Sequence, residues 1–295
     1  MIREDELQEP LIESAPLAHR MAQTLCVPIS DPGETCAWYH GFWQFLRAMG
    51  LAKTSGGQAA FLVDTLRSLI RSQAARRVLV SGSADYSMPA HVLFAFASEN
   101  APVDLTVLDR CETPLYLSRW YGERVQRPIA TVRSDILAYR AATPFDVVLT
   151  NSFFGNFDTA SRPRLVAAWR QVVRPGGTVL FTNRLRPNAS ASPVTFTAKQ
   201  TQDFCDAVRQ EAKRWQPVFD FDPEDVARWA RTYAERFRSF PLRSADEVVA
   251  LLHDDGFAVD YVDVVSAPPH GGGESLSGPS LAEKADYVQV RATLR

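Results

Sequence analysis

Between residues 76 and 187, short apolar runs alternate with amphipathic stretches, and this alternation leaves the chain few folds to choose from. RRVLVSGS is followed by the helical stretch MPAHVLFAFASE and VDLTVLD by PLYLSRWYGERV. PIATVRSD leads into a short helix or loop, FDVVLTN into RPRLVAAWRQVV, and GGTVLFTN into a longer helical region. Val78 to Val80, Leu105 to Leu108 and Val147 to Leu149 carry apolar residues on both sides of the strand, as expected when helices cover both faces of a parallel sheet. The reading is a doubly wound α/β fold. SADEVVALLHDDGF then predicts a helix capped by Ser244 and ended at Gly256. FAVDYVDVVSA and ADYVQVRATL add two strands, joined by APPHGGGESLSGPSLAEK, a glycine- and proline-rich surface loop that holds His270.

Two blocks fall outside this pattern. Residues 1 to about 17 are acidic and proline-punctuated, which reads as a frayed terminus. Leu17 to Ala75 is helical in pattern and densely aromatic at Trp38, Tyr39, Phe42, Trp43 and Phe45, with a break at the SGG of 55–57 and a helical stripe at Phe61, Leu62, Leu66, Leu69 and Ile70. Residues 1–75 are therefore expected to form a helical cap on a domain of residues 76–295. Within that domain, the aromatic-rich stretch at about 194–239 is a helical insertion over the sheet edge. So much aromatic surface on the amino-terminal helices is costly to expose, and a homo-oligomer formed through them is expected.

Charge and cysteine content exclude several classes. Lys plus Arg number 32 against 34 Asp plus Glu, a net charge of -2 that offers no field for a polyphosphate backbone, so nucleic acid is not an expected partner. The start MIREDELQEPLIESAP lacks the basic and apolar regions of a secretory signal, and no apolar run is long enough for a membrane span; a cytosolic location is expected. The four cysteines, Cys26, Cys36, Cys111 and Cys205, form no CxxC pair and read as free thiols rather than a disulfide framework or zinc knuckle.

In a doubly wound sheet the ligand crevice lies beyond the carboxyl ends of the strands. After the first strand come Ser81, Gly82, Ser83, Ala84 and Asp85, small residues that let a ligand approach the backbone or simply make a tight turn. Asp109 ends the second strand, with Arg110 beside it, and can accept hydrogen bonds from the vicinal hydroxyls of a ribose or cap the helix that follows. Asp135 and Ile136 follow the third strand and Asn151 the fourth, while Arg-Pro-Gly-Gly makes a tight turn before the fifth. Arg184, just after the fifth strand, is placed to pair with an acceptor carboxylate. His40 is the first candidate for a base, or a histidine packed at an interface. Trp38 and Tyr39 either box a ligand by cation–π contact or belong to the core.

This ordered set, with the two terminal strands, resembles the class I S-adenosylmethionine-dependent methyltransferases over residues 76–187 and again from Asp246 to the closing strand. The resemblance implies a seven-stranded, mostly parallel Rossmann-like sheet with an antiparallel terminal hairpin and S-adenosylmethionine as cofactor, released as S-adenosylhomocysteine. It implies that the turn around Gly82 faces the methionine part, Asp109 the ribose, and Asp135 and the Ile136 backbone the adenine. Asn151 and Phe153 would line the mouth where sulfonium meets acceptor, with Phe154 beside them; Tyr39, His40 and Arg184, outside the family pattern, are the candidates to serve the transfer. The acceptor would be an amino acid or specialised metabolite, methylated at N, O or S.

The departures are specific. Val80 stands where the family has an acid, and of the family's three glycines only Gly82 remains, with Ala84 and Tyr86 at the other two positions. A positive φ at Tyr86 would be costly, so the turn is expected to take another shape. The NPPY-type tetrapeptide of relatives that methylate nucleic-acid amines is only echoed by Asn151-Ser152-Phe153-Phe154, and Asp146 falls at the wrong end of its strand to hold a metal, so none is expected. Two rival readings are a nicotinamide dinucleotide oxidoreductase, against which stands the lack of G-x-G-x-x-G, and a non-catalytic binding module on the same fold.

Overall fold

A computed structural model describes residues 9–28, 34–52, 56–190, 192–267 and 285–295. Most of the acidic start, Ser55 of the glycine break, and the loop holding His270 lie outside the described residues. Three helices come first: α1 (Leu11–Leu25), α2 (Ala37–Ala48) and α3 (Gly56–Gln73). The alternating region follows as β1 (Arg77–Ser81), α4 (Ser87–Ser98), β2 (Asp104–Asp109), α5 (Glu112–Arg124), β3 (Ala130–Arg133), β4 (Phe145–Asn151), α6 (Arg162–Val172) and β5 (Val173–Arg184). Then come α7 (Ala198–Phe219), α8 (Pro223–Arg236), α9 (Ala245–Asp254), β6 (Phe257–Ala267) and β7 (Ala285–Leu294).

The strands form one seven-stranded sheet in the order β3-β2-β1-β4-β5-β7-β6. β1 to β5 run parallel, and β7 lies antiparallel between β5 and β6. The apolar runs serve both faces because successive side chains point opposite ways. Val78, Val80, Val107, Val147 and Leu149 meet Leu62 and Leu66 of α3, Phe96 of α4 and Leu115 of α5. Leu79, Leu108, Val148, Val179 and Phe181 meet Trp169 of α6 and Val248 and Leu252 of α9. As predicted, α9 is capped by Ser244, whose Oγ accepts from the Glu247 N–H at 3.2 Å, and is followed by Gly256 at φ +83°.

Four expectations change. Helix α1 begins at Leu11, so the segment read as a frayed terminus is ordered from there, with Ser14 fully buried against Tyr86 Oη at 2.8 Å. The Arg-Pro-Gly-Gly turn lies within β5, where the register with β4 jumps from Phe145↔Val173 to Val147↔Thr178 around Gly176 at φ +71°. The block at 194–239 folds as α7 and α8, which pack against α1 and α2 rather than over a sheet edge: Phe42, Trp43, Phe45 and Leu46 meet Phe204, Val208, Val226 and Tyr233. That packing also removes the reason for an oligomer through the amino-terminal helices, since Phe42 and Phe45 are covered within the same chain, at 1% and 4% exposure. Among the described residues no helix is long and apolar enough to cross a membrane.

Candidate functional site

Strand order reverses between β1 and its neighbours β2 and β4, so the chain leaving β1 and β4 diverges there and leaves a crevice. A cleft of about 660 Å³ opens at that point, between the strand ends on one side and α2 and the end of α8 on the other. Gly82 forms the turn after β1. Its φ of +75° suits glycine, its N–H donates to the Leu108 carbonyl at 2.8 Å, and a β-carbon there would fall 2.3 Å from the Phe153 ring. At the third glycine position of the family pattern, Tyr86 has an ordinary φ of -84° and its ring stacks on Tyr121 at 4.8 Å, so the turn does take another shape.

Asp109 is tied to that turn. Its Oδ2 accepts the Ser83 N–H at 3.0 Å and its Oδ1 the Cys111 N–H at 2.7 Å, and the lone pairs left over are free for a ligand in the cleft. Burial pushes this carboxyl up, opposed by the nearby charge of His40 and by the two backbone donors. Asp135 accepts the Leu137 N–H at 2.9 Å and has Arg110 at 3.9 Å, with Ile136 as the apolar wall beside it. Asn151 Oδ1 accepts from Thr182 Oγ1 at 2.6 Å, and Ser152, at φ +52°, turns the chain so that Phe153 enters the cleft.

Three expected contacts are corrected. Ser81 is fully buried, accepting from Trp169 Nε1 at 3.2 Å through Oγ and from Thr150 through its carbonyl, because the pleat turns it away from the cleft. Phe154 is likewise fully buried, between Trp169 and Phe181, so of the neighbouring pair only Phe153 lines the mouth. Asp85 reaches the cleft, but its carboxylate is spent on the Trp43 indole at 3.1 Å, Arg47 at 3.0 Å and the Ser87 N–H at 2.6 Å. It fastens α2 to the glycine turn. Ser83 and Ala84 line the cleft beside it.

Trp38, Tyr39, His40 and Arg184 all line the same cleft. Tyr39 is stacked between Trp43 at 5.4 Å and Tyr233 at 6.0 Å, and burial, with Tyr233 and the Asp85 and Asp109 charges, holds its phenol well above the ordinary range. Burial alone would lower His40, but its imidazole sits against the Cys111 and Cys36 thiols and is pushed up to about 10. Arg184 Nε is buried without a hydrogen-bond partner. Sequence reasoning missed Trp43 and Arg47, which lock the turn, and Arg186, Arg236 and Arg238, which line the cleft. Nothing local marks these residues; the packing of α2 and α8 brings them in.

The strand order, with its one antiparallel strand, agrees with the Rossmann-like sheet and terminal antiparallel hairpin expected from the sequence. No protein-family model and no curated protein matches the sequence. Among solved structures, the N-methyltransferase NodS of Bradyrhizobium japonicum in complex with S-adenosyl-L-homocysteine is similar at 14% identity, over 86% of this chain and 98% of its own, with a TM-score of 0.47. Magnesium protoporphyrin IX methyltransferase of Synechocystis with bound S-adenosyl-L-homocysteine is similar at 10% identity, over 90% of each chain, with a TM-score of 0.47.

Proposed function

We propose that the cleft binds S-adenosylmethionine and serves methyl transfer to a small acceptor that carries a carboxylate or another anionic group. The observation that carries this reading is Asp109, held by two backbone N–H groups against the Gly82 turn at the point where strand order reverses. Asp109 keeps lone pairs for a vicinal diol, Gly82 lets the ligand approach the backbone, and Ile136 with Asp135 offers an apolar wall and an acceptor for a flat, amine-bearing ring. When bound, S-adenosylmethionine supplies an electrophilic methyl group.

The side chains divide the cleft by charge. Asp109 and Asp135 stand at the ends of β2 and β3, whereas Arg184 ends β5, and Arg186, Arg236 and Arg238 line the same cleft. Arg184, with its buried and unmatched Nε, would orient an anionic group by a paired hydrogen bond. Tyr39 and Trp38, both in the cleft lining, would screen the reacting end from water. Displacement at a sulfonium needs alignment more than a covalent helper, so positioning and dryness suffice where the acceptor atom already has a free lone pair. The free thiols fit a reducing compartment such as the cytosol.

Calorimetric titration with S-adenosylhomocysteine, with NAD and NADP in parallel, tests the cofactor. Micromolar one-to-one binding of the first alone, about -8 kcal/mol, is expected. Heat from a dinucleotide instead would make the protein an oxidoreductase, and silence from all three a binding module. The acceptor follows from incubating a panel of amino acids and of phenolic and amine metabolites, each with and without its carboxylate, and reading products heavier by one methyl. Methylation of the neutral members alone would sink the anionic part of the reading.

A further inference from the structure

All four cysteines are free thiols, yet three of them converge. Cys26 follows α1, Cys36 precedes α2 and Cys111 precedes α5. The Cys26 and Cys36 sulfurs each stand 3.4 Å from that of Cys111, and all three lie within 4.8 Å of one another. These separations are far beyond the about 2.05 Å of a disulfide. They are close to the roughly 3.8 Å edge of a tetrahedron whose corners are sulfurs about 2.3 Å from a central zinc ion. The fourth corner has a candidate. His40 stands one helical turn after Cys36, is only 7% exposed and leaves its Nδ1 without a hydrogen-bond partner; its ring nitrogens do not share the 4.8 Å cluster of the three sulfurs, so it would complete the site by turning its ring toward them.

We propose that Cys26, Cys36, Cys111 and His40 bind a single zinc ion that clips the amino-terminal helices to the strand end carrying Asp109. Three thiolates and an imidazole form a soft donor set suited to tetrahedral zinc, and four protein ligands leave no open position, which marks a structural rather than a catalytic ion. A supporting contact is in place: the fully buried Thr113 hydroxyl lies 3.1 Å from the Cys26 sulfur. The N–H of Cys111 itself holds Asp109 Oδ1 at 2.7 Å, so the ion would fix the residue on which the cofactor reading rests. It would also take His40 out of any role as a base, and it replaces the sequence-based expectation that the chain holds no metal. The site stands independently of the methyltransferase reading.

The test is the metal content of the full chain, purified under reducing conditions without chelator. One zinc per chain is expected. After the metal is stripped with a strong chelator, the reduced protein should take back zinc(II) alone in one-to-one ratio. With cobalt(II) it should show thiolate-to-metal charge transfer and the intense visible bands of a tetrahedral site. Cys36→Ser and Cys111→Ser should lose the metal, and Cys205→Ser, which alters a buried thiol in α7, should keep it. The wild-type refilling experiment decides the matter even if the cysteine variants fold poorly. Reduced wild-type protein that holds no zinc and gives no thiolate–cobalt band overturns the proposal. So does a metal-free chain lighter by one pair of hydrogens, which would make two of the thiols a redox pair.

Discussion

Arg47 of α2 and Asp85 of the turn after β1 meet at 3.0 Å in a seam where their side chains are 5% and 2% exposed. The other end of the guanidinium takes both oxygens of Glu9 at 2.8 Å, and the Asp85 and Glu9 charges drive the Arg47 pKa upward against the cost of burial. A helix outside the sheet is thus bolted to the loop that shapes the cleft, by charges that water cannot screen. Removing one partner of such a pair strands the other, at a typical cost of about 3–5 kcal/mol. Asp85→Ala and Arg47→Ala should each lower stability on that scale in urea unfolding. An unshifted midpoint for Asp85→Ala would show that the seam does not hold the cap.

Gly82 should tolerate no side chain. Alanine at φ +75° carries a backbone penalty of about 1–2 kcal/mol, and its β-carbon would drive into the Phe153 ring at 2.3 Å. Gly82→Ala is expected to lower the melting temperature and to weaken S-adenosylhomocysteine binding at least tenfold. Adding Phe153→Ala should relieve the clash but not the backbone strain, so it should restore only part of the loss. Full stability and affinity in Gly82→Ala would place the ligand elsewhere.

Asp109→Ala removes the acceptor of the Ser83 and Cys111 N–H groups together with the proposed partner of the ribose. An affinity loss of an order of magnitude or more, about 1.4 kcal/mol, is expected in titration with S-adenosylhomocysteine. Unchanged affinity would defeat the assignment.

Asp146 gives the protein an acid-sensitive joint at the other end of the sheet. Its carboxylate accepts the Arg76 and Arg77 N–H groups at 2.8 Å each and Arg174 Nε at 2.6 Å. Burial alone would raise its pKa, but these donors and the Arg174 charge outweigh it and hold the carboxyl below its usual range. A carboxyl that titrates lower when folded stabilises fully above its unfolded pKa of about 3.9, and that contribution is lost as pH falls through the folded value. Stability should therefore drop on acidification below about pH 4 more steeply in the wild type than in Asp146→Asn. Parallel curves of denaturation midpoint against pH would count against this role.

Much of the sheet was legible because each strand is covered on both faces, and so writes itself as an apolar run between helical stripes. The rule that ligands sit beyond strand ends then placed Asp109, Asp135, Asn151 and Arg184 at one cleft, where they are found. The errors lie between neighbours. Ser81 and Phe154 are adjacent in sequence to Gly82 and Phe153, and pattern alone cannot tell which of two consecutive side chains the pleat or the turn aims into the opening. Asp85 reads locally as one more small-turn residue, and only the arrival of Trp43 and Arg47 from α2 consumes its carboxylate.

By itself, the sequence determined the alternation of strands and helices, the caps of α9 and the residues at the strand ends, since these follow from short-range sterics and from the period of apolar side chains. Tertiary structure decided what no local pattern encodes. It covered the aromatic face of α2 with α7 and α8, brought Arg236 and Arg238 from the end of α8 to the cleft that Arg184 lines, and brought Cys26 and Cys36 to Cys111 across 85 and 75 positions of chain. Contacts at such separations depend on how whole elements pack, and the free energy that selects them is spread over the buried surface rather than written in the residues that finally meet.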